Sequence, residues 1–189
     1  MIPELWLVRH AETEWSASGR HTSVTDIPLT DHGETVSRTL APRLAGHPFA
    51  AVWCSPRTRA RETAALAGFD DPEIIDDLAE WNYGELEGLT SEQIRARGLK
   101  FAQWTIWRGP VPGGETIEQV AARMARVVAR ADAANGSVLC FGHGHALRVL
   151  TAVALGLDPH AGAHFALDPA TLNVIGSEHE VRALRLWNS

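Results

Sequence analysis

The amino-acid sequence predicts an α/β protein, a three-layer α/β/α sandwich with a mostly parallel central sheet and a small insertion that caps the active site. Two observations predict this class. Short and almost continuously apolar runs at residues 5–8, 50–54 and 137–141 are typical of strands buried on both faces. Longer stretches with helical spacing of apolar residues lie between them, as in sheets covered by helices. The 189 residues suggest one domain, 1–189, with the insertion at about 76–114.

The N-terminal part of the chain supplies the first predicted strand and a capped helix. Residues 5–8 form the strand, and polar, glycine-containing sequence follows as far as Leu29. We expect a helix to begin near Thr30 or Asp31, because either side chain can accept a hydrogen bond from the first turn. Pro42 lacks a backbone N–H, so it is expected to kink or shorten this helix.

A second strand and a second helix are expected next. Residues 50–54 form the strand, and Ser55-Pro56 is typical of a helix start, with a capping hydroxyl before proline in the first turn. This helix is predicted to end at Gly68. Residues 73–75 are predicted to form a third, short strand.

The middle of the chain, residues 76–114, is irregular and rich in Trp, Gly and Pro, with one amphipathic piece at 91–97. We interpret it as an insertion that folds over the active face. A long helix is expected from Glu115, because apolar residues then recur at helical spacing at Ile117, Val120, Met124, Val127 and Val128.

The C-terminal part contains the remaining predicted elements. Residues 137–141 form a strand, and the segment 142–144 leads into a helix that ends near Gly156. Residues 171–175 and 181–186 are predicted to be two strands joined by a turn.

Composition narrows the class of function. The formal charge of -6 does not favour binding to nucleic acid or to an anionic membrane, so neither is an expected partner. No apolar run reaches the roughly 20 residues that span a bilayer. Cys54 and Cys140 lie in apolar runs, which favours buried thiols over a disulfide, and the N-terminus shows no signal-peptide pattern. We therefore expect a cytoplasmic location.

Basic residues follow the predicted strands at the edge where parallel sheets bind ligands. Arg9 and His10 come directly after the first strand, and His143 follows the strand at 137–141 and opens a helix. A helix N-terminus provides unpaired backbone N–H groups and favours anions. The helix after residue 54 carries further arginines, among them Arg59. This pattern indicates a positive pocket for a small anion in a negatively charged protein.

Five blocks of the sequence carry a recognisable pattern: residues 7–13, Leu-Val-Arg-His-Ala-Glu-Thr, and the blocks at 20–30, 55–64, 78–89 and 142–148. Through these blocks the sequence resembles the histidine phosphatase superfamily, the phosphoglycerate mutase-like proteins. The first block looks like the family's Arg-His-Gly-Glu-Thr signature, and the other four match in the family's order. Within the family, the chain is most similar to short bacterial broad-specificity acid phosphatases.

The resemblance implies a phosphatase that hydrolyses small phosphomonoesters through a phosphohistidine intermediate, without a cofactor or metal. His10 is then the nucleophile, and Glu80 and His143 are the other catalytic residues. The implied phosphate-binding residues are Arg9, Arg59, Thr22, His21 and Ser16. The expected partner is a small-molecule phosphate ester, and a homodimer is suggested by analogy alone.

The chemistry agrees with these assignments. A phosphate monoester is dianionic near neutral pH, so its site must gather cations and N–H donors around the phosphate oxygens. Arg9 and Arg59 carry forked, permanently charged donors. His10 must attack through an unprotonated nitrogen. Glu80 can give a proton to the leaving oxygen and then activate the water that cleaves the phosphohistidine.

Two positions depart from the family's pattern. Ala11 replaces the usual glycine after the nucleophile, a change that we expect to be compatible with activity and to narrow the floor of the pocket. Ser16 stands where many members carry an asparagine that contacts phosphate, and it is a weaker phosphate ligand.

Three alternatives remain open. The first is a phosphoglycerate mutase, against which stand the short chain, Ser16 and the absence of the Lys-Arg-Arg cluster with which similar mutases hold the substrate carboxylate. In the insertion, Lys100 and Arg108 are separated. The second is a non-catalytic phosphate-binding module on the same fold. The third is a metal-dependent hydrolase that would use His143 and His145 as ligands, although a helix start turns such side chains apart. Sugar phosphates, phosphoglycerate derivatives and nucleotide-like esters all remain open as substrates.

Overall fold

A six-stranded sheet forms the centre of the computed structural model, which describes residues 2–189. Its order is β3-β2-β4-β1-β5-β6. Only β5 runs against its neighbours, so five of the six strands point the same way, which confirms a mostly parallel sheet. The strands are β1 (Leu5–Arg9), β2 (Ala51–Cys54), β3 (Glu73–Ile74), β4 (Val138–Gly142), β5 (Leu172–Glu178) and β6 (Val181–Leu186).

Helices of very different length connect these strands. The α-helices are α1 (Glu14–Ala17), α2 (Asp31–Arg38), α3 (Ala41–Leu44), α4 (Thr58–Leu66), α5 (Ser91–Arg95), α6 (Ile117–Asp132) and α7 (Gly144–Ala154). Short 3₁₀ helices lie at Asp76–Leu78, Gly84–Leu86, Leu99–Phe101 and Pro159–His164. No helix within residues 2–189 is long and apolar enough to cross a membrane.

Two hydrophobic cores, one on each face of the sheet, confirm the three-layer arrangement. Alternate side chains of a strand point to opposite faces, so Leu5 and Leu7 of β1 pack in the core under α6 and α7. Val8 packs instead in the core formed with α2, α3 and α4. Cys54 and Cys140 are buried and free, one in each core.

Local signals in the sequence set several helix ends. Thr30 caps α2 through its hydroxyl, which accepts from Gly33 N, as expected. Pro42 shortens this helix as predicted: α2 ends at Arg38, and Pro42 lies in the first turn of the separate helix α3. Gly68 follows α4 with a φ of +94°, a conformation that favours glycine.

The predicted start of α4 at Ser55-Pro56 is wrong. The helix begins at Thr58, with Arg57 at its N-cap. Ser55 lies two residues before this N-cap, and its hydroxyl forms a hydrogen bond of 2.7 Å with His143 Nε2. A tertiary contact thus takes the side chain that the local pattern assigned to the helix.

Backbone pairing brings the candidate catalytic residues together at one edge of the sheet. Arg9 of β1 pairs with Gly142 of β4, and His10 N donates to the Gly142 carbonyl at 2.9 Å. Ser55 N, just after β2, donates to the Phe141 carbonyl at 3.0 Å. The carboxyl ends of β1, β4 and β2 therefore lie side by side, as the topology of a parallel sheet requires.

Candidate active site

A pocket of about 260 Å³ opens at this edge of the sheet. Six of the eight residues expected in the site from the sequence line it: Arg9, His10, Ser16, His21, Thr22 and Glu80. The other two, Arg59 and His143, are fully buried and are not part of the lining. The ring of His143 lies edge-on to that of His10, with 5.1 Å between centroids.

His10 is held as a neutral ring with one defined tautomer. Its Nδ1 lies 2.7 Å from the carbonyl oxygen of Ala11, which can only accept, so Nδ1 carries the proton. Burial lowers the pKa of His10 well below its usual value, and the charges of Arg59 and Arg9 lower it further. Nε2 therefore keeps a free lone pair at neutral pH.

The backbone after His10 tolerates the methyl group of Ala11. Ala11 is fully buried, and its N–H donates to Thr63 Oγ1 at 3.0 Å. It does not line the pocket and has no positive φ. The expected narrowing of the pocket floor is therefore wrong, because the methyl group packs into the core behind the site.

His143 is also neutral and is oriented by Ser55. Burial is the largest cause that lowers the pKa of His143 well below its usual value, and Arg59 adds to it. Ser55 Oγ accepts from Arg57 N at 3.4 Å and has its own proton for His143 Nε2, which places the ring proton on Nδ1. Nδ1 is buried and has no hydrogen-bond partner within residues 2–189.

Two arginines surround the histidine pair. Arg59 is fully buried, and its Nη atoms donate to the carbonyl oxygens of Thr22, Ser23 and Thr25 at 3.1–3.2 Å. Arg9 Nη1 donates to the Leu167 carbonyl at 2.5 Å. Within the described chain, the Nε of each arginine is buried without a partner. An unpaired buried donor is costly unless a ligand satisfies it.

Glu80 is fixed by backbone N–H groups on two segments. Its Oε1 accepts from Trp81 N and Ala146 N, both at 2.8 Å, and its Oε2 accepts from His145 N at 3.0 Å. The last two donors belong to the first turn of α7, so the helix N-terminus holds the carboxyl group. Only 6% of the residue is exposed, at the pocket wall.

The three weaker candidates have other hydrogen bonds. Ser16 Oγ donates to the Thr13 carbonyl at 3.0 Å and accepts from Thr13 N, as part of the capping box of α1. Thr22 Oγ1 donates to the Arg20 carbonyl at 3.1 Å. His21 Nδ1 is 2.8 Å from the Leu89 carbonyl. All three line the pocket, and their contact with phosphate stays a prediction.

Sequence reasoning missed four residues of the site. Tyr83, His145 and Arg148 line the pocket, and Ser55 orients His143. Tyr83 lies in the same block as Glu80, and His145 and Arg148 follow His143 closely, so their nearness in the sequence was the available signal. The side chains of His143 and His145 diverge, toward Ser55 and Tyr83 respectively.

Within residues 2–189, no group of three or more His, Cys, Asp or Glu side chains is placed so that it could hold a metal ion.

The buried histidines predict a stability that falls in mild acid. The folded chain lowers the pKa of His10, His21, His143 and His145 below the usual 6.5. Below pH 6.5 the histidines of the unfolded chain become protonated, whereas the same rings in the folded chain stay neutral. The free energy of unfolding therefore drops by up to about 1.4 kcal/mol for each histidine and each pH unit. Above that pH these rings are neutral in both states, so they do not make the free energy of unfolding depend on pH.

Urea unfolding of the protein at several pH values between about 5.5 and 7.5 measures this slope. His145→Phe should make it shallower, whereas His32→Phe at an exposed histidine should not change it. An equally steep slope in the His145 variant would contradict the assignment.

The chain matches one known family and several known proteins. The model of the histidine phosphatase superfamily (branch 1) matches residues 5–189. An acid phosphatase of Mycobacterium tuberculosis is 41% identical over 187 residues, which cover 95% of this chain and 89% of that protein. A sedoheptulose 1,7-bisphosphatase of Saccharomyces cerevisiae is 35% identical and covers 83% of this chain and 69% of its own length.

A mutase and a solved structure are also similar to this chain. A 2,3-bisphosphoglycerate-dependent phosphoglycerate mutase of Gloeobacter violaceus is 34% identical over 77% of this chain and 73% of its own length. The solved structure of an open reading frame product from Mycobacterium tuberculosis superimposes with a TM-score of 0.90 at 38% identity. The superposition covers 100% of this chain and 98% of the chain in that structure.

Proposed function

The chain belongs to the histidine phosphatase superfamily, branch 1, and we propose that its phosphatase activity on small phosphate monoesters passes through Nε2 of His10. The observation that carries this proposal is the fixed tautomer of His10, with Nδ1–H bound to the Ala11 carbonyl and the Nε2 lone pair free. A neutral nucleophile beside two arginines suits attack on a dianionic phosphate.

The first step transfers the phosphoryl group to His10. The Nε2 lone pair forms a bond to phosphorus, and the ester P–O bond breaks with its electron pair on the leaving oxygen. Glu80 gives this oxygen its proton, so the alcohol leaves in its neutral form. Arg9, Arg59 and His143 stabilise the phosphate oxygens through the N–H groups that have no partner within residues 2–189.

The second step hydrolyses the phosphohistidine. Water attacks phosphorus while Glu80 takes a proton from it, and the P–N bond breaks with its electron pair back on Nε2 of His10. The carboxyl group thereby regains the proton that it gave to the alcohol. Phosphate is released, and both residues return to their starting forms.

We also propose that residues 76–114 act as the cap of a single domain. The segment supplies Glu80 and Tyr83 to the pocket. Its Trp104 packs edge-on against His21, with 5.2 Å between ring centroids, and its Trp107 packs against His145 at 5.5 Å. Folding of the segment over the sheet edge is therefore what completes the site.

The arrangement of charge favours a phosphatase over a mutase. A mutase must hold its substrate firmly enough to reorient the intermediate before water attacks. Four basic residues of the segment 76–114, namely Arg95, Arg97, Lys100 and Arg108, do not line the pocket. The Ser16 hydroxyl is occupied in a capping box. Two similar proteins, an acid phosphatase and a bisphosphatase, are also hydrolases by name.

One reaction mixture distinguishes the two activities. With 3-phosphoglycerate as substrate and 2,3-bisphosphoglycerate present, we expect continuous release of inorganic phosphate and little conversion to 2-phosphoglycerate. Phosphate and the isomer ratio are measured in parallel, with His10→Ala as the blank. If conversion between the two phosphoglycerate isomers is faster than phosphate release, the protein is a mutase and the proposed phosphatase activity is wrong.

Location and assembly stay predictions. Burial raises the pKa of the Cys54 thiol to about 12 and raises that of Cys140 as well, so both stay protonated, as suits the reducing cytoplasm that we propose. We propose a homodimer by analogy, and sedimentation at several protein concentrations tests it.

A further inference from the structure

Glu87 holds a short backbone segment at the pocket, residues 22–25. Its Oε1 accepts hydrogen bonds from Ser23 N at 2.8 Å and from Thr25 N at 3.0 Å. Its Oε2 is buried and has no hydrogen-bond partner within residues 2–189. Glu87 itself does not line the pocket, and the two phosphoryl-transfer steps described above do not use it. Its contacts therefore act on the segment and not on the ligand.

The carbonyl groups of the same segment hold Arg59. Its Nη atoms donate to the carbonyl oxygens of Thr22, Ser23 and Thr25 at 3.1–3.2 Å. Burial lowers the pKa of His10 and the charge of Arg59 lowers it further, as expected for a cation close to the nucleophile. Because Arg59 is fully buried, the three carbonyl oxygens set the direction in which the rest of its guanidinium points.

One peptide group joins the two side chains directly. The peptide between Thr22 and Ser23 donates its N–H to Glu87 Oε1 at 2.8 Å, and its C=O accepts from Arg59 Nη2 at 3.1 Å. A peptide group is planar, and in the trans form its N–H and C=O point in opposite directions. Glu87 and Arg59 thus hold the same rigid unit from opposite sides, so a rotation of this unit changes both contacts.

We propose that Glu87 is a positioning residue for phosphate binding, because it fixes the segment whose carbonyl groups direct Arg59 toward the phosphate. This inference rests on the proposed function and adds a residue that acts on the reacting phosphate from outside the pocket. It gives the segment 76–114 a role in phosphate binding besides the supply of Glu80.

The energetic reason is the cost of an unpaired donor. Without the Glu87 carboxyl group, Ser23 N and Thr25 N lose their partner. Ser23 is only 2% exposed, so water reaches its N–H only if the segment moves. The carbonyl groups then move with the segment, and Arg59 follows them. A displacement of about 1 Å in groups that position a substrate can cost about 10²-fold in rate.

Glu87→Ala is therefore expected to weaken the binding of inorganic phosphate by about tenfold to 10²-fold, and to lower kcat/KM by a similar factor. Calorimetric titration of the protein with inorganic phosphate measures the Kd. Loss of folded protein lowers the number of binding sites in such a titration and leaves the Kd unchanged. A change in Kd therefore distinguishes a displaced Arg59 from damage to the fold.

Two further variants are the controls. Glu87→Gln keeps an oxygen for both N–H groups, and its NH₂ group takes the place of Oε2, which has no partner to lose within residues 2–189. Its Kd for phosphate should stay within about threefold of that of the unmodified protein. Glu85→Ala, at an exposed position of the same segment, should change neither Kd nor kcat/KM.

A double-mutant cycle tests whether Glu87 acts through Arg59. Arg59→Met keeps a long side chain without N–H donors, so this variant has no guanidinium left to misplace. In that background, Glu87→Ala should lower kcat/KM for p-nitrophenyl phosphate by less than about threefold, far less than in the unmodified protein. Equal effects in both backgrounds would overturn the proposal.

The leaving group separates Arg59 from Glu80 as the residue through which Glu87 acts. The Ser23 hydroxyl donates to the Glu80 carbonyl at 3.4 Å, so the segment also touches the residue that supplies the acid. Every ester has the same phosphate, so Glu87→Ala should lower kcat/KM equally for an alkyl phosphate and for p-nitrophenyl phosphate. A loss confined to the alkyl phosphate would assign Glu87 to the acid and overturn its role in phosphate binding.

The phosphate titration also separates this inference from the function on which it rests. An unchanged Kd in Glu87→Ala, or an equal loss in Glu87→Gln, removes the role of Glu87 and leaves the phosphatase intact. If the unmodified protein binds phosphate but hydrolyses no ester, the proposed function is wrong, and the Kd values still decide the role of Glu87. No binding of phosphate by the unmodified protein removes both.

Discussion

Replacement of His10 by alanine is expected to lower kcat for every phosphate ester by about 10⁴-fold to 10⁶-fold, the usual scale for loss of a covalent nucleophile. The reason is the geometry of the ring. Nε2 of His10 has a lone pair at neutral pH because burial and two arginines lower the pKa of the ring and the Ala11 carbonyl holds its proton on Nδ1. No other residue of the site combines these properties with a place beside both arginines.

Two controls make this result interpretable. His10→Asn keeps an amide N–H near the position of Nδ1, so it preserves the hydrogen bond to Ala11 while it removes the nucleophile. It should be as inactive as His10→Ala and should melt close to the unmodified protein. His32→Ala, at an exposed histidine, should keep full activity. Substantial turnover in both His10 variants would exclude His10 as the nucleophile.

Glu80→Gln is expected to damage hydrolysis according to the leaving group. An alkyl phosphate needs a proton on its leaving oxygen, so its kcat/KM should fall by about 10²-fold to 10⁴-fold. p-Nitrophenyl phosphate has a leaving group that is stable as an anion, so its kcat/KM should fall much less. The ratio of the two losses measures general acid catalysis directly.

The same variant has a structural cost that must be measured separately. Three backbone N–H groups donate to the Glu80 carboxyl group, and either orientation of a glutamine amide turns its NH₂ group toward at least one of them. We expect a loss of about 1–3 kcal/mol in the free energy of unfolding. Glu85→Gln, at an exposed position of the same segment, is the matched control. Equal losses on both substrates would show that Glu80 is not the acid.

The sequence predicts the fold well because its strongest signals are local. Apolar runs of strand length and a capping Thr30 are readable one segment at a time, and the structure confirms them. The placement of His10 and His143 at strand ends is also predictable, since the carboxyl ends of parallel strands share one edge of the sheet. The family signature adds Glu80 and Arg59, which local patterns alone do not distinguish from other polar residues.

The remaining features depend on contacts between distant segments. Ser55 has the local pattern of a helix cap, but its hydroxyl binds His143, which is 88 residues away. Tyr83 and His145 are 62 residues apart and meet only because the segment 76–114 folds over the sheet edge. The hydrogen-bond partner of each of these side chains lies on a distant segment, so no single segment of the sequence reveals it.

The most direct test of the central claim is to trap the phosphorylated protein. A labelled phosphate ester is mixed with the protein, the reaction is quenched in base within one turnover, and the site of the label is mapped by mass spectrometry of the peptides. A phosphohistidine is labile in acid and stable in base, so the account predicts a base-stable label on His10, absent from His10→Ala and slower to form in His143→Ala. Phosphate on any other residue, or undiminished labelling of His10→Ala, would contradict it.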